Sequence, residues 1–200
     1  MNTSEIKTAS GQIITDPPIA RFLFSNTRAA GLWLVIRVLL GLSWLQSGIG
    51  KLGNPAWMET GEALRGFWER AAALPDTGSP LIRFDWYRSF IQGMLDNQSY
   101  VWFAKLVAFG ETLIGIGLIL GAFVGIAAFF AAFMNWNFVM AGSASSNGLY
   151  IVAAILLVLA WKVAGYYGLD RFLLARLGTP WRTQHRVDES DEPNRAPSVA

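Results

Sequence analysis

The sequence predicts an all-α protein, a four-helix transmembrane bundle with amphipathic helices in the long loop between the first and second spans. Three observations carry this. The 200-residue chain is 53% hydrophobic with nine Trp and a mean hydropathy of +0.36, more apolar surface than one small soluble core can hide. Four segments are long enough to cross about 30 Å of hydrocarbon, which takes about 20 helical residues each. Ionisable side chains also sit within or at the end of the apolar runs: Arg37 and Lys51 in the first, Glu111 in the second. At bilayer depth each costs roughly 2.5 to 3.5 kcal/mol on insertion scales unless paired or wetted, so the bundle should have a polar interior.

Taken in order, residues 1–29 form a cytoplasmic N-terminal segment. It contains Pro17 and Pro18 but neither the short apolar core nor the small-residue cleavage site of a signal peptide, so the first span is expected to be retained. The membrane domain covers 30–174, with spans at about 30–50, 100–120, 122–141 and 149–168. The second and third form one apolar run that would overshoot the membrane as a single helix, so a tight turn is expected near Gly121. The stretch 175–200 is rich in Arg, Asp, Glu and Pro and is expected to be a disordered tail.

The loop 51–99 is too long to be an idle connection. Asn54 and Pro55 read as a helix start, after which Trp57, Leu64, Phe67, Trp68 and Ala71 recur at helical spacing opposite Glu59, Glu62, Glu69 and Arg70. A second amphipathic piece runs over 81–95. Both suit helices lying at the membrane surface or capping the mouth of the bundle. An even number of spans puts both termini on one side, with Arg21, Arg28, Lys162, Arg171, Arg176, Arg182 and Arg186. The positive-inside bias then makes the termini cytoplasmic and the loop extracytoplasmic, although the loop also carries five Lys or Arg.

Composition excludes several functions. A net charge of +2 without a basic patch argues against nucleic acid as a partner. With no Cys, and His185 as the single histidine outside every apolar run, the chain offers no haem, iron–sulfur or zinc site. Any redox electrons must travel on a bound small molecule or a partner subunit.

Arg37, Gly41, Trp44, Gly48 and Lys51 share one face of the first span, and Ala104, Ala108, Glu111, Gly115 and Leu118 form a similar stripe on the second. Small residues beside charged ones point both faces into the bundle. With the span ends level, Arg37 lies roughly 10 Å and Glu111 about 13 Å from the cytoplasmic end, which predicts an Arg37–Glu111 pair. Gln46, Lys105, Asn135 and Asn137 fall together in the outer half, with Asn137 expected to face inward and Asn135 to sit at a helix contact. Such residues also serve as interhelical glue, and Lys105 and Lys162 can snorkel to the membrane surfaces.

The first span ending in Trp44-Leu45-Gln46-Ser47-Gly48-Ile49-Gly50-Lys51-Leu52, the second carrying Gly110-Glu111-Thr112-Leu113-Ile114-Gly115-Ile116-Gly117-Leu118-Ile119-Leu120-Gly121, and Asn135-Trp136-Asn137 late in the third resemble the DoxX and DoxD family over about residues 31–174. The resemblance implies a four-helix membrane protein of a prokaryotic plasma membrane. In the DoxD branch it implies the subunit of a thiosulfate:quinone oxidoreductase that joins two thiosulfates into tetrathionate, passes electrons to quinone and works with a second, DoxA-like subunit. On that reading Glu111 and Arg37 are catalytic, and Lys51, Lys105, Gln46 and Asn137 bind substrate. Trp44 and Trp136 pack on the quinone ring. The alternative is a non-catalytic membrane anchor or scaffold of a redox or oxidative-stress complex.

Overall fold

The computed structural model of the chain describes residues 16–178, together with the backbone of two short strands, β1 (Ile6–Lys7) and β2 (Ile13–Ile14), which pair antiparallel. Residues 179–200, including His185 and most of the expected tail, lie outside the described residues. From residue 16 on, the chain is helix, turn and loop. The helices are α1 (Pro18–Ser25), α2 (Ala30–Leu52, entered through a 3-10 turn at Thr27–Ala29), α3 (Pro55–Met58), α4 (Glu62–Ala72) and α5 (Asp85–Asp96). They continue with α6 (Tyr100–Leu120), α7 (Val124–Met140), α8 (Asn147–Leu159), α9 (Trp161–Ala164) and α10 (Asp170–Arg176).

Two helical stretches, Thr27–Leu52 and Tyr100–Leu120, are long and apolar enough to cross a membrane, and the third and fourth apolar helices are shorter. The expected spans at 122–141 and 149–168 are therefore trimmed. The third starts only at Val124, because Gly121 (φ +66°) and Phe123 (φ +49°) hold left-handed backbone that no α-helix accommodates. The fourth is interrupted at Ala160, and a turn at Gly165 follows α9.

α2 and α6 run antiparallel in close contact, as do α7 and α8; α6 and α7, although joined by a short turn, touch much less. The α2–α6 seam is built on glycine. A Cβ at Gly48 would stand 2.6 Å from the backbone nitrogen of Thr112, one at Gly115 would stand 2.6 Å from that of Leu45, and one at Gly41 would press on Ile119. Only glycine lets the two backbones come this close. On the bundle side Trp33, Leu40 and Trp44 of α2 share a buried core with Leu118, Val124, Ala128, Ala154 and Leu157.

α3, α4 and α5 cover the end of the bundle where α6 begins, hereafter the cap end; the opposite end, where α6 turns into α7, is the turn end. Asn54 caps α3 by accepting from the Ala56 N–H at 2.9 Å, with Pro55 in the first turn. Leu64, Trp68 and Ala71 of α4 and Tyr87 and Ile91 of α5 bury against Ala104 and Ala141, forming a second core. Gly61 (φ +73°) lets the chain pass against the Tyr100 carbonyl, where a side chain would collide.

The outward faces of the long helices are apolar. Val35, Leu39, Leu42 and Ile49 of α2, Leu106 and Leu113 of α6, Ile126 and Phe129 of α7, and Val152 and Ile155 of α8 are all exposed.

Candidate functional site

Residues expected to form one site occupy three places. The first is at the cap end of the α2–α6 seam. Lys51, in the last turn of α2, donates to Glu111 Oε2 at 2.6 Å and to Ser47 Oγ at 2.7 Å. Its ammonium also lies 5.0 Å from the Trp57 ring centroid, within cation–π range. The pair is asymmetric: the Glu111 side chain is 2% exposed and that of Lys51 17%. Lys51 is thus the contact of a buried carboxylate with the outside.

The second place is the turn end, and here the expected Arg37–Glu111 pair is corrected. Arg37 is 1% exposed. Its Nη1 donates to the carbonyls of Leu118 (2.5 Å) and Ile119 (2.8 Å), and its Nη2 to that of Tyr167 (2.7 Å). The guanidinium thereby caps the C-terminus of α6, where unpaired carbonyls and the helix dipole attract a cation.

The depth estimate failed for two reasons. The span ends are not level: Gly48 faces Thr112 and Gly41 faces Ile119, so position 37 falls opposite the turn beyond α6. Helical side chains also lean toward their own N-terminus. On antiparallel helices Arg37 therefore leans to the turn end and Glu111 to the cap end, toward the descending stem of Lys51.

Asp170, unmarked by any motif, completes the turn end. Its carboxylate accepts from the backbone N–H groups of Phe123 (2.5 Å) and Val124 (2.9 Å), capping α7 from a distant part of the chain. Burial pushes its pKa above the ordinary carboxylate value, while the two backbone donors and Arg37 pull it down. A carboxylate two residues past the predicted end of the fourth span was the only signal in the sequence. Gly121, packed directly on the Arg37 guanidinium, leaves no room for a Cβ.

The third place is a cleft of about 820 Å³ between α6 and α7, closed at the cap end by α4 and α5. Its walls are apolar and aromatic, including Phe103, Leu106, Phe130 and Phe133, with Gly110 and Gly117 opening the α6 side. Asn137 lines it. Tyr87, overlooked in the amphipathic loop, is 4% exposed, and its hydroxyl is 3.2 Å from both the Asn137 backbone carbonyl and Oδ1. Burial holds the Tyr87 pKa above its ordinary value.

The other expected site residues are dispersed. Gln46 is exposed on α2 and Lys105 half-buried on α6. Trp136 is 43% exposed, stacked on Phe133. Trp44 is buried in the core. The indole N–H of Trp44 and the amide nitrogen of Asn135 are buried without a hydrogen-bond partner among the described residues. Glu111 turns to Lys51 of α2 and is not among the residues lining the cleft, so Glu111 and Asn137 do not share it.

The chain has no cysteine, and the described residues contain no group of three His, Cys, Asp or Glu able to hold a metal ion. No protein-family model, curated protein or solved structure matches the chain.

Proposed function

We propose that this chain is the membrane subunit of a quinone-linked oxidoreductase of the DoxD type, with thiosulfate as the electron donor and a second subunit completing the enzyme. The observation that carries the reading is the Lys51–Glu111 pair, which joins a buried carboxylate in the middle of α6 to a partly exposed ammonium in the last turn of α2. The apolar outer faces suit lipid. A charged pair kept at that depth is a functional candidate by default.

In the reaction, two thiosulfate dianions join through their terminal sulfurs. The new S–S bond releases two electrons, which with two protons convert a quinone to a quinol. Glu111 takes up and releases a proton, and while it is protonated Lys51 presents an unpaired cation to the dianion. Glu111 does not line the cleft between α6 and α7, so a quinone held there would take that proton by relay rather than direct contact. Arg37, spent on three carbonyls, has a structural role in this scheme.

The test is thiosulfate-dependent quinone reduction in membranes holding this chain and a DoxA-like partner, with Glu111→Gln alongside. Activity that needs the chain and falls at least about 100-fold in the variant, the scale of lost general acid–base catalysis, supports the reading. Full activity in Glu111→Gln removes the carboxylate from the mechanism. No activity with the partner present overturns the oxidoreductase assignment.

A second reading, a non-catalytic anchor or scaffold of a redox complex, draws on Arg37 and Asp170. Both are buried and both are committed to backbone groups at helix ends. Under it, Glu111→Gln leaves recovery of the partner unchanged while Arg37→Leu lowers stability and recovery together.

A further inference from the structure

We propose that the cleft between α6 and α7 binds a neutral amphiphile with one long apolar chain, its carbonyl or hydroxyl head held by Tyr87 and Asn137. The cleft runs along α6 from Phe103 to Gly117, fourteen residues or about 20 Å at helical rise, which is the shape of a chain rather than a compact molecule. Along the open side its rims are exposed apolar residues such as Leu113 and Ile126, so a ligand enters sideways from lipid. The cap-end closure stops it.

The chemistry at that closure selects the head. Apart from Tyr87, no lining residue is ionisable, and no Lys or Arg is present to receive a phosphate. A charged head would therefore be desolvated without a partner, at prohibitive cost. Tyr87 Oη spends its proton on Asn137, and Asn137 Nδ2 spends one of its two on the Phe133 carbonyl at 2.8 Å. One amide proton and the lone pairs of a phenol remain. They match a carbonyl, which accepts from Nδ2, or a hydroxyl, which donates to Tyr87.

Two kinds of molecule share this chemistry, a lipid-soluble quinone and a neutral prenol. The inference rests on the chain lying in a bilayer and is independent of thiosulfate oxidation.

The experiment uses the full chain in phosphatidylcholine nanodiscs and measures saturable binding of a ubiquinone analogue and of a long-chain prenol. Phosphatidylglycerol serves as competitor. Gly110→Phe fills the cleft: a Cβ there meets only the Met134 side chain, no closer than 3.6 Å. It should weaken binding of either probe about tenfold or more, and Tyr87→Phe should weaken that of the prenol, whose hydroxyl donates to Tyr87, about fivefold, the loss of one hydrogen bond. If Gly110→Phe does not fold, Ala127→Leu fills the cleft from the facing wall.

Binding of either probe with loss in the cleft-filling variant supports the proposal. Quinone binding identifies the occupant as an electron carrier; prenol binding alone makes it a lipid site and leaves the proposed oxidoreductase without its quinone pocket. Absence of saturable binding, displacement by phosphatidylglycerol, or binding unchanged in the filled variants overturns it.

Discussion

Lys51 and Glu111 neutralise each other, yet their burial differs, and this predicts unequal consequences of removing either one. Lys51→Met strands a carboxylate that is 2% exposed, which should cost about 3 to 5 kcal/mol. Glu111→Gln leaves an ammonium that already reaches the outside and should cost less. Thermal unfolding of the purified variants in one detergent measures both, and a larger loss in Glu111→Gln would contradict the assigned asymmetry.

Tyr87 permits a pH prediction. Its folded pKa is raised by burial, so the folded state holds the proton more tightly than the unfolded one. The stabilisation is complete below the unfolded value of about 10 and is lost as pH rises from there through the folded value. Tyr87→Phe should reduce the alkaline loss of stability, and one of the five tyrosines should ionise later than an exposed phenol in an ultraviolet titration.

Among the elements, the α2–α6 pair depends on glycines that are not equivalent. Gly48 abuts the Thr112 backbone, whereas nothing lies within 4 Å of a Cβ built at Gly50. Gly48→Ala must push the helices apart and should destabilise by about 1 to 3 kcal/mol. Gly50→Ala should instead be neutral or stabilising by up to about 1 kcal/mol through helix propensity. Equal effects in thermal unfolding would show that the seam is looser than described. The α6–α7 connection follows a different logic: Arg37 caps the outgoing helix end and Asp170 the incoming one. Two termini of opposite dipole are thereby fastened by side chains from α2 and α10.

For the whole molecule, the described residues distribute charge unevenly. The turn end presents Arg21, Arg28, Lys162, Arg171 and Arg176 against Asp16, with Arg37 and Asp170 buried beneath. At the cap end six Lys or Arg (51, 65, 70, 83, 88, 105) meet seven Asp or Glu (59, 62, 69, 76, 85, 96, 111). In the proposed membrane setting this puts the turn end in the cytoplasm. The chain has no cysteine, so single cysteines report cleanly. An impermeant maleimide applied to intact cells should label Thr77→Cys in the cap loop and spare Thr27→Cys until the cells are opened. The reverse pattern would invert the orientation.

Helical class, the two long apolar helices, the break at Gly121 and the capped start at Asn54–Pro55 were legible in the sequence, because they follow from local hydropathy, glycine conformation and capping chemistry. The inward faces carrying Arg37 and Glu111 were legible too, since i, i+3 and i, i+4 spacing sets them. Partner choice was not. Whether Glu111 meets Arg37 or Lys51 depends on how far α2 slides along α6, and contacts among Gly41, Gly48, Leu45, Thr112 and Gly115 decide that. Asp170 and Tyr87 gain their places only when distant segments pack on α7. The cleft exists because α6 and α7, adjacent in sequence, each pack more tightly on another helix. Local pattern sets what a helix can bury, and tertiary register decides what it buries against.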